Sequence, residues 1–249
     1  GFFYSKPDGY EINFEESSII VNNKKWILSS KGSIALKNGY LIADGVNLSN
    51  DNQRISMYTQ PSDEGNWNNL YANITEFNMG DIIPFFLKEP RLEGLISGKV
   101  IVEDPMGKPN IQTDLQLHQF YFNNDSVGTI ALQGEYNSVT KLMNAAIDSR
   151  NPSYDFDGTV KVNLQAGATN QLDVKLNLRK ESISVLNNYL QGILEDLKGF
   201  ASGQLRIVGS FSQPSIVGDL ELKDASVKVG YTQCTYQLDK ADLKFGDNY

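Results

Sequence analysis

SGQLRIVGSFSQPSIVGDLEL, residues 202–222, decides how this chain is read. Leu205 and Ile207, then Leu220 and Leu222, alternate with polar neighbours, and Gly209 and Pro214 lie between the two runs. Period-two alternation puts one set of side chains on each face of a strand, and a glycine-to-proline interval marks a turn. No acid, base or nucleophile in it is placed for chemistry.

The stretch occurs twice. Subtracting 105 from each position gives SGKVIVEDPMGKPNIQTDLQL, residues 97–117, without a gap. Ser202, Gly203, Pro214, Ile216, Asp219, Leu220 and Leu222 fall on Ser97, Gly98, Pro109, Ile111, Asp114, Leu115 and Leu117, and upstream Gly199 falls on Gly94. The identities are the residues that set backbone path and sidedness. The chain is therefore read as an internal duplication, with modules over residues 1–77, 78–182 and 183–249.

The same alternation runs through the rest. In LDVKLNLRK, Leu172, Val174, Leu176 and Leu178 face one way, and Asp173, Lys175, Asn177 and Arg179 face the other. Val100 and Val102, Val160, Val162 and Leu164, and Val227 and Val229 repeat it, as do Tyr10, Ile12 and Phe14, or Trp26 and Leu28, in the first module. Two places break phase. Ile183, Leu186, Leu190, Ile193, Leu194 and Leu197 follow helical spacing and Gly199 stands where a helix would stop, which predicts a short amphipathic helix over 183–197. Its counterpart begins at Asp81 as a cap, carries Pro84 near its first turn and ends by Pro90.

Composition narrows the function. With 22 Lys and Arg against 30 Asp and Glu, the net charge is −8, which argues against a nucleic-acid partner. Cys234 is the sole cysteine, so neither an intrachain disulfide nor a thiolate metal cage forms. The longest strongly apolar run, IIPFFL at 82–87, is far below the roughly 20 residues a membrane helix needs. Gly1 and the closing FGDNY look like cuts through a longer protein. His118 is the lone histidine and sits on the wet side of a strand, and no G-x-S-x-G elbow surrounds a serine, so no enzyme is expected and no cofactor. DFDG at 155–158 resembles part of a calcium loop but lacks the later carboxylates.

Many one-sided strands make a wide sheet with one greasy face, and two short helices cannot cover it. A closed barrel, a β-sandwich or an elongated curled trough would each hide that face, and stacked repeats favour the trough. The expected fold is all-β: an elongated, curled antiparallel sheet built from repeats, with one or two short amphipathic helices.

The order helix, G-x-x-S-G, alternating strand, turn with Pro, then I-x-G-D-L-x-L resembles the TamB family, the inner-membrane subunit of the translocation and assembly module, within the AsmA-like bridge proteins. Gly199, Ser202, Gly203, Gly209, Pro214, Gly218 and Leu220 carry the pattern; the earlier copy departs from it with Asp104 for Gly209 and Thr113 for Gly218. The resemblance implies a periplasmic β-groove, anchored outside this segment, that conducts phospholipid acyl chains between inner and outer membrane, with an outer-membrane barrel protein as a partner of regions outside the segment. Its expected lining is Val100, Val102, Leu115, Leu117, Val160, Val162, Leu164, Leu172, Val174, Leu176, Leu178, Leu205, Ile207, Leu220, Leu222, Val227 and Val229. A scaffold or holdase for outer-membrane barrel assembly, and a β-sandwich binding module, are the competing readings.

Overall fold

The structure is a computed structural model that describes residues 1–81, 83, 91–123, 125–187 and 194–246. These residues are almost entirely strand. The first module holds β1 (Phe2–Lys6), β2 (Gly9–Asn13), β3 (Ser17–Val21), β4 (Lys24–Leu28), β5 (Ser33–Lys37), β6 (Tyr40–Asp44), β7 (Val46–Asn50), β8 (Gln53–Pro61) and β9 (Asn68–Asn78). Longer strands follow: β10 (Leu92–Glu103), β11 (Asn110–Phe122), β12 (Asp125–Asn137), β13 (Leu142–Asn151) and β14 (Tyr154–Asn163). The last four are β15 (Leu172–Ser182), β16 (Leu194–Gly209), β17 (Pro214–Val229) and β18 (Cys234–Phe245).

Two sheets result. One is four-stranded, in the order β1-β2-β5-β6; the other has 14 strands, running from β18 back through successive neighbours to β7 and then β4 and β3. Its end strands β18 and β3 do not pair with each other, so it is not closed into a barrel. No helix among the described residues is long and apolar enough to cross a membrane.

The chain divides into two compact units, Gly1–His118 with Leu132–Leu142, and Gln119–Ala131 with Met143–Tyr249. The 78–182 module contributes to both, because packing follows strand neighbours and not the sequence period.

In the first unit the chain passes between the two sheets at 44–46, where Gly45 turns with φ of 59°. The outer edge of β6 is then satisfied by side chains of the larger sheet. The Ala43 N–H donates to Thr59 Oγ1 at 3.1 Å, and Asn68 Nδ2 donates to the Leu41 carbonyl at 2.9 Å. Trp26, Ala35, Ala43, Val46 and Met79 are buried in this unit, and the Trp26 ring lies 5.6 Å from that of Phe77. The small sheet thus covers apolar surface that the alternating pattern alone leaves bare.

The duplication reappears as backbone geometry. A Cβ on Gly203 would meet Asp219 O at 2.1 Å and Leu220 Cα at 3.0 Å; one on Gly98 would meet Asp114 O at 2.2 Å and Leu115 Cα at 2.8 Å. Positive φ recurs at the same offset: 149° and 115° at Gly94 and Gly199, 45° and 110° at Asp104 and Gly209, 48° and 49° at Gln119 and Asp224. Asp104 keeps a positive φ where the later copy has glycine, since Asp tolerates the left-handed region better than most residues.

The expected helix over 183–197 is corrected. Over 183–197 the described residues form a 3-10 turn, Ile183–Leu186, followed by β16 from Leu194, while Leu190 and Ile193 lie outside them. Leu197 sits in a strand because the Asn187 side chain acts as its ladder partner: Asn187 Oδ1 accepts from Leu197 N–H at 2.8 Å and Nδ2 donates to Leu197 O at 3.3 Å. Gly199 is not a helix stop but a strand residue at a register shift against β17. Asp81, the expected start of the other helix, closes a 3-10 turn, Met79–Asp81, and its buried carboxylate accepts from Lys24 Nζ at 2.8 Å. Pro84 and Pro90 lie outside the described residues.

Candidate functional site

Strand register in the second unit assembles the apolar residues into rows. Val160 pairs with Val174, Val174 with Ile207 and Ile207 with Ile216. The next row is Gly158, Leu176, Leu205, Gly218; beyond it runs Phe156, Leu178, Gly203, Leu220, Leu243. Directly paired residues of antiparallel strands share a face, so Val160, Val162, Leu172, Val174, Leu176, Leu178, Leu205, Ile207, Leu220 and Leu222 all lie on one side. Val227, opposite Tyr236, packs with Leu220 and Leu222 around a core of Ile183, Leu197, Ala201 and Ala225. The positive φ at Asp224 restores Ala225 and Val227 to the dry side after Leu222.

Not every expected residue joins this face. Val100, Val102, Leu115 and Leu117 belong to the first unit, where Val100 and Val102 pair with Ala72 and Leu70. Leu164 falls beyond the end of β14 and is 49% exposed, so the alternation that runs through Val160 and Val162 stops short of it. Val162 is buried; the remaining expected residues, Val229 included, are half-buried. Half-burial along a whole row means a sheet face with apolar surface still open.

The opposite face is held by charge. Arg206 grips Asp173 with two hydrogen bonds, at 2.8 and 3.0 Å, and holds its carboxyl below the ordinary range. Arg179 pairs with Asp155 at 2.6 Å and with Asp157, so the DFDG carboxylates are bound to a guanidinium. Glu221 lies between Lys223 and Lys240, which bring its pKa down to about 2. A cleft of about 810 Å³ crosses β13 to β17. Its lining takes three successive rows: the apolar row of Gly158, Leu176, Leu205 and Gly218, the polar row of Asp157, Asn177, Gln204 and Asp219 on one side of it, and Thr159, Lys175, Arg206 and Val217 on the other.

One carboxyl breaks the pattern. A register shift between Leu178 and Glu181 inserts an extra residue in β15. It turns Glu181 to the dry side, opposite the buried Tyr154 on β14 and the buried Ala201 on β16. Glu181 Oε1 is buried with no hydrogen-bond partner among the described residues. Desolvation, then the nearby Asp155 charge, pushes its pKa up to about 8, against a weaker opposing pull from Arg179. Alternation alone puts Lys180, not Glu181, on the dry side; the only signal for the bulge is that LRKES places no apolar residue after Leu178.

This carboxyl makes stability depend on pH. With a folded pKa near 8 against 4.5 for the free group, the native state binds the proton more tightly. The contribution is complete below about pH 4.5 and fades as pH rises toward 8. Glu181→Gln is expected to be about 2 kcal/mol more stable than the parent at about pH 9, after allowance for partial exposure, and equal to it at about pH 4. Urea denaturation at the two pH values measures this; an equal shift at both would reject it.

His118 is half-buried in β11, and no group of three or more His, Cys, Asp or Glu among the described residues is placed to hold a metal ion. Compared with protein-family models, with curated proteins and with solved structures, the chain matches none.

Proposed function

We propose that the dry face of β14 to β18 accommodates lipid acyl chains, and that the chain serves as a segment of a hydrophobic path for phospholipid between inner and outer membrane across the periplasm. The observation that carries this reading is the set of in-register apolar rows, Val160 to Ile216 and Gly158 to Gly218, whose members stay half-exposed. Burying a methylene is worth about 0.8 kcal/mol, so an acyl chain of about 16 carbons faces on the order of 12 kcal/mol in crossing water bare. An apolar face offers hydrocarbon a favourable surface with no fixed polar contact along these rows, so a chain can slide. The charged opposite face keeps the sheet wettable. The resemblance of the Gly199–Leu220 pattern to the TamB family supports the same direction.

The test is titration with cis-parinaric acid, a fatty acid whose fluorescence rises in an apolar site. Leu205→Asp is expected to weaken binding at least tenfold, roughly 1.4 kcal/mol or more, with about 1–2 kcal/mol lost in stability. Lys175→Asp on the wet face should leave binding unchanged. Equal affinity in the two variants, or none in the parent, overturns the proposal.

A second reading rests on β3, an end strand of the larger sheet that carries no charge within Ser17–Val21 and exposes Ile19 by 52% and Ile20 by 74%. Such an edge adds strands readily and suits a holdase for extended chains. Binding of an outer-membrane barrel strand peptide, without fatty-acid binding, would favour it.

A further inference from the structure

We infer that Glu181 is the polar contact of the dry face, a neutral carboxylic acid that donates a hydrogen bond to the carboxylate end of a free fatty acid lying on the β14 to β17 surface. This rests on the acyl-chain reading and names the ligand's head.

The geometry comes first. Glu181 is set on the apolar side by the β15 bulge, between Tyr154 and Ala201 and next to the cluster of Ile183, Leu197, Ala201 and Ala225. One oxygen is buried without a partner among the described residues, while the side chain as a whole is only half-buried. A buried unpaired oxygen penalises the ionised form, which keeps the proton on the acid at neutral pH. A neutral carboxyl in an apolar setting is a donor suited to an anionic acceptor.

The charged and titratable groups around it are few. From β14 come Asp155 and the buried Tyr154 phenol, whose own pKa is raised by burial. From β15 comes Arg179, which is engaged by Asp155 and Asp157, while Lys180 turns to the Phe200 ring at 4.2 Å. On β13, Asp148 and Arg150 pair with each other at 2.8 Å. From β16 the facing residues Phe200, Ala201 and Ser202 are uncharged. Arg179, whose Nη2 alone makes no hydrogen bond among the described residues, is held by its two aspartates on the charged side, so on the dry side the ligand's charge is met by the Glu181 proton. Hydrocarbon continues along the row of Leu178 and Leu220 toward Leu176 and Leu205.

The experiment measures oleate and methyl oleate binding by the whole chain, in the parent, Glu181→Gln and Glu181→Leu, from about pH 6 to pH 9. Oleate affinity of the parent should fall at least tenfold as pH passes through about 8, when two carboxylates would face each other. Glu181→Gln keeps a donor and cannot ionise, so it should hold oleate across the range. Glu181→Leu should bind oleate about ten- to a hundredfold more weakly at pH 6, as expected for a lost hydrogen bond to a charged group. Methyl oleate should bind all three alike at every pH. If oleate and methyl oleate bind all three proteins equally at every pH, this inference fails and the acyl-chain reading stands. If neither ligand binds the parent, both fail.

Discussion

A Gly203→Val variant is expected to lose at least about 4 kcal/mol of stability, a loss reserved for changes the structure cannot absorb. Two effects add. Gly203 has φ of 141°, a region closed to β-branched residues, and the new Cβ would lie 2.1 Å from Asp219 O, a backbone atom in the paired strand. Strands β16 and β17 approach there because no side chain intervenes, and the register from Leu178 through Gly203 to Leu220 depends on it. Gly167→Ala separates the two effects. Gly167 also has positive φ, 80°, but a Cβ there meets nothing within 4 Å, so it should cost only about 1 kcal/mol. Denaturant unfolding of both variants gives the comparison, and similar losses in the two would show that the close approach is not what matters. Gly98→Val should reproduce the effect in the earlier copy, where Asp114 O lies 2.2 Å from the added carbon.

Trp26→Ala should cost about 3–5 kcal/mol, the range for emptying a large aromatic site. Trp26 is 3% exposed and packs on Phe77, in the unit that also buries Val46, Ala43 and Met79. The loss should appear as faster amide exchange in β4, β7 and β9, whose strands hold this core. A change under about 1 kcal/mol would mean that the cavity refills from the small sheet, and that the packing of β6 against Thr59 is looser than its hydrogen bonds imply.

Much of this architecture is written in the alternation. LDVKLNLRK reads directly as β15, with Leu172 through Leu178 on one face and Asp173 through Asn177 on the other, and the 105-residue offset predicts where Gly98 and Gly203 meet the next strand. What escapes the pattern is decided by backbone events and distant partners. The apolar run from Ile183 to Leu197 fits helical spacing, but the Asn187 side chain pairs with the Leu197 backbone and favours a strand, which no local propensity encodes. Glu181 looks wet or dry according to whether one residue is inserted after Leu178, and such a bulge leaves little trace in sequence. In the first module every segment alternates, yet β5 and β6 enter the small sheet while β4 and β7 enter the large one. Alternation assigns faces, not neighbours. Leu164 shows the converse, an apolar residue in phase with Val162 that lies past its strand and stays exposed.

The acyl-chain reading makes neighbouring residues behave differently, and that is its most direct test. A benzophenone side chain placed at Leu176 faces the dry side; one at Lys175 faces the charged side, next to Arg206 across the pair. With a radiolabelled fatty acid and ultraviolet light, the reading predicts strong crosslinking from Leu176 and almost none from Lys175. Equal crosslinking at both positions, or labelling only from Lys175, would contradict it.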